Sequence, residues 1–180
     1  MRQSFLGRTL SLLALGFSAF LGTAAQAQTA SIKTEYLMTV YFPLEATAAL
    51  NGQLRITNIK PQGGWVEGPR IKAKPVSPAG DWPRVTAGGQ LRLDVRATLE
   101  TDDKDLIYMS YNGIVQPTKE MMERLGKGGT LKTDDNYWMT APTFETKSEK
   151  YAWLNGVQTI GKLTSFKSGD HIQYEIFVVK

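Results

Sequence analysis

Through most of residues 28–180, apolar and polar side chains alternate one by one, the period of a β-strand that buries a single face. The segment nearest the C-terminus shows this most cleanly. Ile172, Tyr174, Ile176 and Val178 fall on one face, and His171, Gln173 and Glu175 on the other. The same alternation predicts strands over Ile32 to Phe42, Gln53 to Lys60, Trp65 to Lys74, Gln90 to Glu100, Leu106 to Gln116, Asn136 to Thr140 and Tyr151 to Phe166. Turn-forming pairs separate them: Asn51-Gly52, Gly63-Gly64, Gly80-Asp81, Gly88-Gly89 and Ser168-Gly169-Asp170. About eight or nine such strands predict an all-β domain, because short alternating strands bury their apolar face only when the sheet curls or stacks. An antiparallel β-barrel with one short helix is expected in preference to a two-sheet sandwich. Closure removes exposed edges and leaves room for one small ligand.

The helical interruption is Pro117 to Gly129. Thr118 is placed to cap a short helix in which Met121, Met122 and Leu125 share an apolar side, and Gly126, Gly128 and Gly129 end it. Set between two strands, it either plugs one barrel end or serves as a lid.

The first 27 residues break the alternation altogether. Arg2 and Arg8 form a basic start, Leu10 to Leu21 an apolar run, and Ala25-Gln26-Ala27 a small-residue cleavage site, together the pattern of a secretory signal peptide. An apolar run of about a dozen residues is too short for a membrane-spanning helix, which needs about 20. Cleavage after Ala27 is therefore expected, with no stable membrane insertion afterwards and a periplasmic or secreted destination. Residues 28–180 then have the length of one domain. The chain contains no cysteine, which excludes disulfide-stapled folds and lipid attachment at a leader. Its formal charge of +4 includes the two leader arginines, and the remaining basic residues are interspersed with acidic ones. No clustered basic stripe suggests a nucleic-acid surface.

Among the strands, Leu91 to Glu100 carries the densest charge. Leu91, Leu93, Val95, Ala97 and Leu99 share one face, and Arg92, Asp94, Arg96 and Thr98 the other. One of these faces looks into a barrel, and alternation does not say which. With the polar face inward, Asp94 and Arg96 would meet a ligand together; with it outward, they form a solvated ion pair. Other chemistries find little support. His171 is the sole histidine, which argues against a Ser-His-Asp nucleophile and a histidine-based zinc site. Asp102, Asp103 and Asp105 lack the spacing of a calcium loop, and Gly126-Lys127-Gly128-Gly129-Thr130 lacks that of a phosphate loop. No cofactor and no metal are expected.

An ordered series of short motifs adds a resemblance. Gly63-Gly64, Gly68-Pro69-Arg70, Gly80-Asp81-Trp82, Leu93-Asp94-Val95-Arg96, Thr101-Asp102-Asp103, Tyr111-Asn112-Gly113, Phe144-Glu145-Thr146 and Tyr151-Ala152-Trp153-Leu154-Asn155 run in the order of domain of unknown function 3237, also called uncharacterised protein family 0311. The chain resembles this family from about Lys33 to Val179. The resemblance implies a single-domain β-barrel with a cavity, often self-associating, with no agreed activity. It places Asp81, Trp82, Asp94, Arg96, Tyr111, Glu145, Trp153 and Asn155 among the positions that line the cavity. Two features depart from it: Asp103-Lys104 stands where an acid followed by glycine is usual, and an export signal is added. The plainer alternative is that Asp81 caps a turn, Trp82 and Trp153 are core, and Asn155-Gly156 is a hairpin turn.

Three functions follow as expectations. The first is an exported, cofactor-free pocket protein that binds a small, partly apolar, aromatic or carbonyl-bearing ligand, with Asp81, Trp82, Trp153 and Asn155 as contacts. The second is a lyase or isomerase in which Glu145 or Asp94 moves a proton and Arg96 or Tyr111 stabilises negative charge. The third is a homo-oligomeric structural protein of the envelope.

Overall fold

Alternating sequence becomes a closed wall. The computed structural model describes residues 31–135 and 137–180, so the expected leader lies outside the described residues. The strands are β1 (Thr34–Pro43), β2 (Ala48–Ala49), β3 (Arg55–Asn58), β4 (Trp65–Gly68), β5 (Ile71–Asp81), β6 (Arg84–Val85), β7 (Leu91–Thr101) and β8 (Leu106–Gln116). Then come helix α1 (Lys119–Gly126), β9 (Leu131–Lys132), β10 (Tyr137–Glu145), a 3-10 turn (Ala152–Gly156), β11 (Thr159–Lys167) and β12 (His171–Val179). Eight strands pair antiparallel in the cyclic order β5, β4, β1, β12, β11, β10, β8, β7. The ring shuts where β7 meets β5, from Ala73 opposite Thr101 to Asp81 opposite Val95. The expected antiparallel β-barrel with one short helix is the observed architecture, and β2, β3, β6 and β9 are short additions.

The two faces divide as a water-bathed barrel requires. Val40, Val66, Leu99, Met109, Leu163 and Ile176 are among the fully buried side chains pointing inward. Each contributes about 1.5–3 kcal/mol by leaving water. Lys72, Lys74, Arg92, Arg96, Lys162 and Glu175 alternate with them on the exposed outer face. That is the reverse of a membrane-spanning barrel, whose outer band is apolar. Among the described residues, no helix is long and apolar enough to cross a membrane.

Three segments differ from the strand reading. Trp65 to Lys74 is two strands, since Pro69-Arg70 turns the chain back and pairs Gly68 with Ile71. β5 then continues through Pro75, in register opposite Leu99, and on to Asp81, where a turn was expected, because a register shift between Val76 and Ala79 absorbs Pro78. Tyr151 to Phe166 begins as the 3-10 turn, and only Thr159 onward is strand. Its Asn155-Gly156 pair is therefore not a hairpin turn. The helix matches its expectation: Thr118 Oγ1 accepts the Met121 amide at 3.1 Å, the capping bond the sequence called for.

Candidate functional site

The barrel interior is filled at one end and hollow at the other. Leu154, brought in by the 3-10 turn, is fully buried, as are Leu99 and Ile107 nearby in the wall. At the opposite end a cavity of about 510 Å³ opens, bounded by the start of β7, the end of β8 and the inner side of α1. Its volume lies in the ~300–1,000 Å³ range of small-molecule sites. Met121, Met122 and Leu125 of α1 all face it, so the apolar side read from the sequence covers the cavity mouth. Met121 is buried and Met122 is 56% exposed. A salt bridge from Arg124 to Asp135 ties the helix to the turn after β9.

The walls are mostly apolar, and the polar groups are few. Asp81 stands opposite Val95 on β7, and Val95 stands opposite Tyr111 on β8. Residues directly opposite in a sheet point to the same side, so Asp81, Val95 and Tyr111 form one inward row. Asp81 and Tyr111 both line the cavity. Asp81 Oδ1 accepts the backbone N–H of Asp94 at 3.0 Å. This bond joins β5 to β7, 13 residues apart, so the carboxylate links two strands where a turn cap was the plainer expectation. Burial is the larger influence on this group: it pushes the Asp81 carboxyl up to about 6, against the backbone hydrogen bonds from Asp94 and Trp82. The Asp94 charge beside it pushes the same way.

Tyr111 is held from behind. Trp138 Nε1 donates to the Tyr174 hydroxyl at 2.7 Å. The Tyr111 and Tyr174 rings meet edge to face with centroids 5.8 Å apart. Burial raises both phenols well above their ordinary value, and the Asp81 charge adds to it. Each therefore stays a neutral hydrogen-bond donor throughout the physiological range.

The other expected site residues do not join this row. Asp94 and Arg96 point outward, because Leu93, Val95 and Ala97 occupy the inner face of β7. They pair at 2.8 Å with both side chains about half exposed. Trp82 also lies outside the cavity, with the Arg96 guanidinium 5.9 Å from its ring. Glu145 is exposed at the end of β10. Trp153 packs under Arg70, whose guanidinium carbon sits 3.9 Å from the ring centroid. Asn155 clamps Thr146, accepting its N–H at 2.8 Å and donating to its carbonyl at 2.9 Å. Asp94, Arg96, Glu145, Trp153 and Asn155 are thus spread over the outer wall and the filled end. Asp94 and Arg96 form one ion pair, Trp153 a cation–π contact and Asn155 a loop clamp.

Sequence reasoning missed other groups. Trp138 and Tyr174 were assigned to strands without any polar role, and Arg55 at the cavity rim was passed over. The outer wall also carries a hydrogen-bonded chain of the kind argued against: Asp170 Oδ1 meets His171 Nδ1 at 2.7 Å, and His171 Nε2 meets Ser165 Oγ at 2.8 Å. Six residues separate Ser165 from His171 across the β11–β12 hairpin, a spacing that could have signalled it. This chain lies on the outside, with the imidazole stacked on Tyr41, which itself stacks on Trp65. Neither the lumen nor a shallow groove of about 370 Å³ over β7, β8 and β10 touches any of its three members. It braces a hairpin.

Known proteins share this architecture. A UPF0311 protein of Clostridium acetobutylicum is 36% identical over 92 residues, which span 51% of this chain and 58% of that protein's length. The crystal structure of a conserved protein of unknown function from Rhodopseudomonas palustris superposes with a TM-score of 0.76 at 24% identity, over 84% of this chain and 99% of the other. A β-barrel-like protein of Acinetobacter baumannii superposes with a TM-score of 0.64 at 28% identity, over 86% and 100%. Residues 32–179 match the family described as Protein of unknown function (DUF3237), and the chain belongs to that family of β-barrels.

Proposed function

We propose that the hollow end of the barrel binds a small, partly apolar ligand carrying an oxygen function, and that the protein does so after export. The observation behind this reading is the cavity of about 510 Å³ with mostly apolar walls, in which Asp81 and Tyr111 share one inward row and Thr47, Arg55, Thr57 and Ser168 also line the space. Aromatic and aliphatic walls supply contact area, and a few fixed polar atoms set orientation. Tyr111 offers an O–H to a ligand oxygen, and Asp81 accepts from a ligand hydroxyl when ionised. Trp82, Trp153 and Asn155 are not counted among the contacts, and Asp94, Arg96 and Glu145 are not counted among the reacting groups, because none of them lines the lumen. Export rests on the leader pattern of Met1 to Ala27.

Native mass spectrometry of protein purified from its own host tests the reading. The expected spectrum contains a retained small molecule that dissociates on activation. A homo-oligomer that carries no molecule and takes up none from its host's small-molecule extract would favour a structural envelope role and overturn the pocket reading.

A further inference from the structure

We infer that Asp81 and Tyr111 act together as a proton-transfer pair that enolises a neutral, flat ketone seated in the lumen. The inference rests on the pocket reading above and adds a reaction to it. Three placements carry it. Asp81 and Tyr111 lie on one inward row, one strand apart on either side of Val95. Asp81 is held by the Asp94 amide, and the Tyr111 ring packs edge to face on Tyr174, whose hydroxyl is anchored by Trp138. Both side chains line the same cavity, where the Tyr111 O–H can meet a ligand oxygen. Such fixed donors stabilise developing negative charge at little cost in reorganisation.

The substrate class follows from the walls. Trp138 and Phe166 both line the cavity, their rings tilted by 50° with centroids 4.9 Å apart, and supply aromatic contact area. A buried carboxylate disfavours an anionic guest, and the phenolic donor calls for an acceptor oxygen. A neutral aryl or bicyclic ketone meets all three conditions.

The step balances without any further reagent. The Asp81 carboxylate takes a proton from the carbon next to the carbonyl. The electron pair of that C–H bond becomes the enolate double bond, and the carbonyl π pair moves to oxygen, where the Tyr111 O–H hydrogen-bonds it. Returning the proton from Asp81 to the same carbon, or to a conjugated one, restores or isomerises the ketone. Burial supports the assignment, because a carboxyl raised to about 6 is a base matched to neutral pH. The charged and titratable groups around Asp81 are Asp94 on β7, Tyr111 on β8, Tyr174 on β12 and Arg55 at the rim.

The test is deuterium uptake at C2 of α-tetralone in D2O, followed by NMR, with binding of the same compound measured by calorimetry. Wild-type protein is expected to bind it and accelerate exchange above the buffer rate. Asp81→Asn is expected to bind within about threefold of wild type yet lose roughly 100-fold or more in exchange, the usual yield of a positioned base. Tyr111→Phe is expected to lose about 10-fold or more, as when one charge-stabilising donor is removed. Exchange by the wild type should rise with pH through about 6, the range in which Asp81 ionises. Binding without exchange, or equal exchange in Asp81→Asn, would overturn the proton-transfer inference and leave the pocket reading standing. Failure of α-tetralone to bind would overturn the ketone inference, while the pocket reading stands or falls on the native mass spectrum.

Discussion

Replacing Asp81 by Asn should stabilise this protein, and only above a definite pH. In the unfolded chain the Asp81 carboxyl ionises near 3.8, and in the folded barrel burial delays ionisation to about 6. Between these values the native state holds a proton that the unfolded state has lost, so unfolding free energy falls as pH rises. The contribution is complete below about pH 4 and gone above about pH 6. At 1.36 kcal/mol per pH unit, the difference amounts to about 3 kcal/mol. Asn keeps an oxygen to accept the Asp94 amide and carries no charge into the hollow. Urea unfolding of both proteins from pH 4 to 8, at constant ionic strength, isolates this one group, because contributions of other carboxylates cancel in the difference. Asp103, Asp135 and Asp170, for example, are held below their ordinary range by neighbouring hydrogen bonds. The variant should match wild type near pH 4 and exceed it by about 3 kcal/mol at pH 7, roughly 6–12 °C in unfolding temperature for a chain of this size. Parallel stability profiles across the range would show that Asp81 is not buried against the lumen, and the site argument would fail with it.

Other substitutions probe the scaffold. Gly68→Ala would set a Cβ 2.2 Å from the Leu37 carbonyl oxygen, a backbone clash at the β1–β4 seam, and should cost about 1–3 kcal/mol in urea unfolding. Tyr174→Phe leaves the Trp138 N–H unpaired in the core and should cost about 1–3 kcal/mol; the double variant with Trp138→Phe should cost less than the sum of the two. Lys104 occupies a φ of 71° in the β7–β8 turn, a conformation that favours glycine, and Lys104→Gly should raise the unfolding midpoint. N-terminal sequencing of protein recovered from the periplasm or medium should begin at Gln28; a chain that still begins at Met1 there would contradict the export reading.

The barrel was legible because each long strand alternates cleanly. In β12 the two-residue period runs unbroken from His171 to Ile176, and the start of the strand follows from it. β5 was truncated in the reading because Pro75 and Pro78 interrupt the pattern, and only the pairing with β7 shows a strand continuing past them. Which face of β7 looks inward was undecidable from alternation, since a polar-lined lumen and a polar exterior give the same string. Energetics decided it: turning Leu93, Val95, Ala97 and Leu99 outward would forfeit apolar burial that one ion pair at the surface cannot replace. Asp81 and Tyr111 were named by resemblance, but their partnership was not visible, because it depends on register across three strands. Trp138 and Tyr174, 36 residues apart, meet only once β10, β11 and β12 pair side by side.

A crystal structure of the protein soaked with α-tetralone puts the central claim to its most direct trial. The expected density lies in the hollow end, its ring against Trp138 and Phe166 and its carbonyl oxygen about 3 Å from the Tyr111 hydroxyl. A lumen packed shut, or ketone found only in the outer groove over β7, β8 and β10, would contradict the account.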